Sequence, residues 1–178
     1  MELFDLVNEK DEAIGITDSA KSHRNGLLHR VIAVFVFSSS GKLYVQIRDD
    51  NHLLDHSVGG HVGRGESYDQ AVKREAFEEL RIKYKLIKIS CFFSDETFTG
   101  ENTKHIFSLY ECIVPQTWKF KPTFEVKKII SISLEQVVKK MNKEPEKFTG
   151  GFINTMREYI IKKKLPYKIE IPSRSRCQ

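Results

Sequence analysis

Gly60–Ile82 reads GHVGRGESYDQAVKREAFEELRI, and the rest of the chain is arranged around it. Gly59, Gly60, Gly63 and Gly65 punctuate a loop that runs into a segment carrying Glu66, Glu75, Glu78 and Glu79 at fixed spacing. Ser67 followed by Gln70 has the form of a capping box, which predicts a helix from there to about Leu80. On that helix Glu75, Glu78 and Glu79 stand at i, i+3 and i+4, so their carboxylates share one face. Val72, Ala76 and Leu80 form an adjacent apolar stripe that can seat the helix on a core.

Carboxylates gathered on one face repel one another, and a purely structural helix gains nothing from them. Oxygen-only donors suit hard divalent cations such as magnesium or manganese, and these ions mostly serve phosphate substrates. The plain alternative is a solvated acidic face with Lys73, Arg74 and Arg81 as its partners. Spacing separates the two. From Gly60 there are five residues to Glu66, seven more to Arg74, then Glu75, two residues, and Glu78-Glu79.

That order resembles the Nudix box, G-x5-E-x7-R-E-U-x-E-E-x-G-U, where U is a bulky aliphatic residue. Gly60, Glu66, Arg74, Glu75, Glu78, Glu79 and Ile82 match it. Ala76 stands where a larger aliphatic residue is usual, and Arg81 replaces the glycine after the paired glutamates. The resemblance implies an α+β fold, an α/β/α sandwich built on a mixed β-sheet. It also implies hydrolysis of a nucleoside diphosphate derivative or a related diphosphate, with Mg2+ (or Mn2+) as cofactor. Carried over by motif position, Glu75, Glu78 and Glu79 would bind the cations together with the carbonyl of Gly59. One of these glutamates would help activate water. Arg74 would orient the carboxylates, Glu66 would support the loop and helix, and Gly60 would let the loop backbone come close.

With 178 residues, 40% apolar and 30% charged, the chain has the size and balance of one globular domain. We expect that domain over residues 1–171 and a disordered tail over 172–178. No run approaches the roughly twenty apolar residues of a membrane span. The acidic, alternating start MELFDLVNEKDEAIG is neither a signal nor a transit peptide, which makes the cytoplasm the expected compartment. Cys91, Cys112 and Cys177 lack metal-type spacing and fit reducing surroundings. The net charge of +5 comes from lysines and arginines spread along the chain. That distribution argues against a dedicated nucleic-acid surface and suits a small polyanionic substrate.

Glu2–Val7 and Ala13–Thr17 read as short strands, and Asp18–Leu28 as a polar irregular segment. The apolar run from His29 to Phe37 predicts a buried central strand. Lys42–Arg48 alternates, with Leu43, Val45 and Ile47 on one face. Arg48, on the other face, is a candidate phosphate ligand, with a surface arginine at a strand end as the alternative. Asp49–Val58 is a connection. Lys83–Phe93, Lys104–Val114 and Glu125–Ile132 read as further strands. Ser133 with Gln136 opens a helix to about Met141, and Phe152–Lys163 is a last amphipathic helix. The loop with Asp95, Glu96 and Glu101 offers an additional base, with Glu101 as the choice. Trp118, Phe98 and Tyr84 are aromatic residues for base stacking or for packing.

A second resemblance lies within the first. Leu27-Leu28-His29-Arg30 and Ser57-Val58-Gly59-Gly60-His61 are similar to isopentenyl-diphosphate isomerases, in which histidines and glutamates build a metal site and a cysteine follows the Ser-Val pair. Here Gly59 occupies the cysteine position. His23, His29 and His61 are then either a second metal site or ordinary loop and core residues. An isomerase-like enzyme and a non-catalytic nucleotide-binding Nudix domain remain as alternatives, with a homodimer as one option for assembly.

Overall fold

The computed structural model describes residues 3–96 and 103–170. Its elements, in chain order, are β1 (Leu3–Val7), β2 (Ala13–Asp18), α1 (Ser19–Asn25), β3 (His29–Ser38), β4 (Lys42–Ile47), β5 (Leu54–Asp55), β6 (Val58–His61), α2 (Tyr68–Leu80), β7 (Leu86–Asp95), β8 (Lys104–Val114), β9 (Lys128–Ser133), α3 (Leu134–Lys143) and α4 (Gly150–Lys162). Glu101, Phe98 and the 172–178 tail lie outside the described residues.

The organising strand is β3. Its apolar run is buried on both faces because each face carries a helix layer. Along one edge it pairs in parallel with the whole of β8, from His29↔His105 to Ser38↔Val114. The other edge is shared by three strands, all antiparallel: β1 at Leu6↔His29, β6 from Val31↔His61 to Val34↔Val58, and β4 at Val36↔Tyr44. Antiparallel and parallel pairs together make the mixed sheet expected.

Odd-numbered residues of β3 (Val31, Ala33, Phe35, Phe37) pack with Val137, Met141, Phe152 and Met156 of α3 and α4. Even-numbered ones (Ile32, Val34, Val36) pack with Val72, Ala76 and Leu80 of α2. Period-two alternation thus places one helix layer on each side of the sheet. Among the described residues no helix is long and apolar enough to cross a membrane.

Three expectations need correction. Asp18–Leu28 is not irregular: Asp18 caps α1 by accepting from the Lys21 amide at 2.9 Å, and left-handed Gly26 (φ 60°) ends it. A helix of seven residues with a single buried side chain has no apolar stripe to reveal it in sequence. The 49–58 connection contains the short strand β5, paired to β4 at Gln46↔Asp55. The strands expected from Lys83 and Glu125 begin later, at Leu86 and Lys128.

Helix α2 starts with both arms of the capping box in place at Ser67 and Gln70. It ends at Arg81, which takes the left-handed conformation (φ 55°, ψ 28°) that glycine would adopt without strain. The Arg81 amide donates to the Phe77 carbonyl at 3.0 Å and the Ile82 amide to that of Ala76 at 3.0 Å, so the turn keeps its geometry. The guanidinium lies 5.0 Å from the centre of the Phe77 ring. Replacing Arg81 with glycine is expected to raise the unfolding free energy by about 1 kcal/mol by removing left-handed strain. A urea midpoint that stays put or falls would show that the stacked side chain outweighs the strain.

Candidate active site

Arg74 is the hub of the loop and helix. Its Nε and Nη2 grip the Glu66 carboxylate at 3.0 and 2.9 Å, and Nη2 also donates to the His61 carbonyl at 3.0 Å. Its Nη1 donates to Glu75 Oε1 at 2.7 Å and to Glu78 Oε2 at 3.2 Å. The hydrogen bonding it donates to Glu66 is the largest influence raising the guanidinium's pKa, so Arg74 is a permanent cation here. Glu66 Oε2 in turn accepts from the Gly63 amide at 2.9 Å, which ties the loop to the helix.

Gly60 has a steric reason. A Cβ there would fall 2.2 Å from the Glu75 carboxylate carbon and Oε1, so a side chain at 60 cannot coexist with Glu75 where it stands. Glu75 and Glu79 are both buried, one helical turn apart. Glu79 Oε2 accepts from Gln46 Nε2 at 2.6 Å and from the Gly59 amide at 3.4 Å. Burial, and next the charge of Glu75, push the Glu79 carboxyl well above its ordinary range.

The three box glutamates do not converge as a set. Donor atoms of Glu75, Glu79 and Glu125 lie within 4.8 Å of one another, and Glu78, with its side chain 44% exposed, joins through Arg74. Glu125 comes from the segment before β9, which is held to the end of α2 by a hydrogen bond from Thr123 Oγ1 to the Glu79 carbonyl at 3.0 Å. Sequence reasoning placed Glu125 in a strand and gave it no role. Two buried carboxylates with a third beside them are a donor set that fits a hard divalent cation and is unfavourable without one.

Glu79, Gly59 and Gly60 border a cavity of about 450 Å3 that extends to Arg48, Glu96 and His105. Arg48 therefore reaches the site, but two carboxylates already engage it: Asp50 at 3.0 and 2.9 Å and Asp55 at 3.2 Å. Glu96 is buried and accepts from Thr103 Oγ1 at 3.2 Å and Ser94 Oγ at 3.3 Å, and burial lifts its carboxyl to about 7. His56, at the cavity wall, bridges Asp55 (2.8 Å) and Thr155 Oγ1 (2.7 Å), joining β5 to α4. Trp118 packs edge-on against Tyr44 at 4.9 Å and Tyr84 is exposed away from the cavity lining, so neither is placed to stack on a ligand there.

The same cavity is bordered by His23 from α1, His61 from β6 and His105 from β8, and the ring of His29 from β3 lies 4.5 Å from that of His105. The expected grouping of His23, His29 and His61 changes in one member. Ring nitrogens of His23, His29 and His105 come within 4.8 Å of one another, whereas the His61 ring lies flat against Phe4, with centroids 4.5 Å apart and planes 7° apart. Burial first, then the neighbouring imidazoles, lowers His29, His61 and His105 to about 3, so all three are neutral at ordinary pH. His105 went unnoticed because only the β3–β8 register sets it beside His29.

A family model for the NUDIX domain matches residues 27–151. An isopentenyl-diphosphate Delta-isomerase of Serratia proteamaculans is 30% identical over 165 residues, covering 88% of this chain and 90% of that protein. A Nudix hydrolase of Deinococcus radiodurans is 40% identical over 90 residues, which is 46% of this chain and 51% of that relative. Among solved structures, DR0079 of Deinococcus radiodurans superposes with a TM-score of 0.72 at 29% identity, over 88% of this chain and 97% of that one. The MutT protein of Methanosarcina mazei Go1 shares the fold, with a TM-score of 0.60 at 17% identity over 77% of this chain and 95% of that one. With its box wired through Arg74 and its sheet and helices in the same arrangement, this chain belongs to the NUDIX-domain family.

Proposed function

We propose that this protein is a divalent-cation-dependent hydrolase that cleaves the diphosphate linkage of a nucleoside diphosphate derivative or a related organic diphosphate. The observation that carries this reading is the convergence of Glu75, Glu79 and Glu125 beside an Arg74 fork that also holds Glu78. These carboxylates would hold Mg2+ or Mn2+, with the Gly59 carbonyl as a further oxygen. When bound, such a cation neutralises charge developing on phosphate oxygens and lowers the pKa of a coordinated water.

The chain's own groups do the positioning. Arg74 holds Glu75 and Glu78 in fixed rotamers, and Gln46 and the Gly59 amide orient Glu79. Glu78, the most exposed of the box carboxylates, is free of the packing that fixes Glu75 and is the group we assign to proton acceptance from water. Arg48 at the cavity mouth meets the far phosphate or the group beyond it, its orientation set by Asp50 and Asp55.

A second reading, isomerisation of an isoprenoid diphosphate, is favoured by the coverage of the Serratia isomerase across most of both chains. It is opposed by Gly59, which stands where such an isomerase is expected to carry its cysteine. A screen of nucleoside diphosphate sugars, dinucleoside polyphosphates, nucleoside triphosphates and isoprenoid diphosphates with magnesium separates the two. Release of a phosphorylated product supports hydrolysis. Conversion of isopentenyl diphosphate to its isomer with the diphosphate intact would select the second reading.

Two substitutions test the site itself. Glu78→Gln is expected to lower magnesium-dependent turnover by about a hundredfold or more, roughly 2.7 kcal/mol, without altering the circular dichroism spectrum. Undiminished turnover in that variant would remove Glu78 from the mechanism. Gly60→Ala should fold normally, since its backbone is not left-handed, yet it must displace the Glu75 carboxylate. We expect the magnesium concentration for half-maximal activity to rise about tenfold. An unchanged magnesium requirement would show that Glu75 can move without consequence.

A further inference from the structure

We propose that Phe124 is a specificity-determining residue of the candidate site: its bare ring receives the planar base of a nucleoside diphosphate derivative whose phosphates lie at the carboxylates. The assignment deepens the hydrolase reading and rests on it. Phe124 is 92% exposed, the most exposed large apolar side chain among the described residues. Single exposed apolar side chains are common and by themselves mean little. The setting of this one is what distinguishes it.

The residue after it is Glu125, which has a donor atom within 4.8 Å of those of Glu75 and Glu79. Consecutive Cα atoms stand about 3.8 Å apart, so the ring is carried at the edge of the carboxylate group. The turn that carries it is pinned. The Thr123 amide donates to the Val126 carbonyl at 2.9 Å, and the Val126 amide donates to Thr123 Oγ1 at 3.1 Å. Thr123 Oγ1 donates in turn to the Glu79 carbonyl at 3.0 Å, and the Val126 side chain is buried against α2. A loop that had to order itself around a ligand would lose affinity, whereas this turn presents its ring already held.

Strand register places the turn at the cavity. β9 pairs with β4 at Gln46↔Ile129 and Ile47↔Lys128, so Lys127 comes beside Arg48 one step beyond the ladder. Arg48 and Gln46 border the cavity, and Gln46 reaches Glu79. The Lys127 ammonium donates to the Thr123 carbonyl at 2.9 Å and lies 5.3 Å from the centre of the Phe124 ring. One face of the ring thus carries a fixed cation and the other is open. A flat base needs only one open face, and stacking on it is tolerant of which base is offered. An aliphatic tail gains by enclosure, and a single exposed ring encloses nothing. The stacking role for which Trp118 and Tyr84 are not placed falls to Phe124.

The test titrates the full chain, in magnesium, with adenosine α,β-methylenediphosphate and with methylenediphosphonate, read by calorimetry. Both probes resist hydrolysis and they differ in the nucleoside. Wild type is expected to bind the nucleoside probe at least about tenfold more tightly. Phe124→Ala and Phe124→Leu should each weaken that probe about tenfold and leave methylenediphosphonate unchanged, while Phe124→Trp keeps both affinities. So exposed a residue can be replaced without unfolding the chain. The inference is overturned if Phe124→Ala binds the nucleoside probe as wild type does. Full affinity in Phe124→Leu also overturns it, since apolar area and not stacking would then be at work. Glu79→Gln should weaken both probes. If it does so while Phe124→Ala changes neither, the hydrolase reading keeps its site and only the base contact falls. If wild type binds neither probe, that reading falls and the base contact with it.

Discussion

The Arg74 guanidinium directs its donors to Glu66, the His61 carbonyl, Glu75 and Glu78, joining a loop, a strand end and a helix face through one rigid planar group. Without that cation, Glu66, Glu75 and Glu78 would repel one another across a few ångströms, and Glu75 is buried besides. A lysine could supply charge but not a fork that meets a carboxylate and a carbonyl in fixed directions. The helix propensity of α2 and its capping box set where the helix begins. Arg74 sets where its carboxylates point.

The second constraint is β3. Because both of its faces are covered, its side chains sort by parity, and everything paired with it inherits that sorting. Gly60 pairs with Ile32, so its missing side chain opens the α2 side to Glu75. His61 pairs with Val31 and His29 with His105, so the imidazoles collect on the opposite side. A two-residue glycine segment in β6 thus lies between the carboxylates of α2 and the imidazoles, with Glu79, His23, His61 and His105 bordering one cavity.

What could be read from the chain alone follows from how local each signal is. The box is legible because its chemistry sits within one loop and one helix, at spacings that 3.6 residues per turn convert directly into a face. β3 is legible from its unbroken apolar run, and α2 from Ser67 and Gln70. Glu125 and His105 are not, since they reach the site through strand pairing and a returning loop that sequence order does not reveal. Arg48, expected on the polar face of its strand, lies one residue beyond β4, and its partners Asp50 and Asp55 depend on how the β4–β5 turn folds back. Arg81 departs from the family pattern yet adopts the backbone conformation that the pattern's glycine serves, so the motif constrains the turn more tightly than the residue.

The two glycines of β6 also bear on the choice between hydrolysis and isomerisation, and they do so differently. At Gly60 a side chain is excluded by Glu75. At Gly59 it is not: a Cβ would meet His56 Nδ1 at 3.7 Å and the Ile32 carbonyl at 3.8 Å, which are ordinary contacts. The fold therefore has room to begin a side chain at the position where an isomerase would carry a thiol, and this chain places none there. Moving a double bond needs an acid and a base on either side of the carbon skeleton. With glycine at 59, that position of β6 supplies no proton-bearing side chain to either side of such a skeleton.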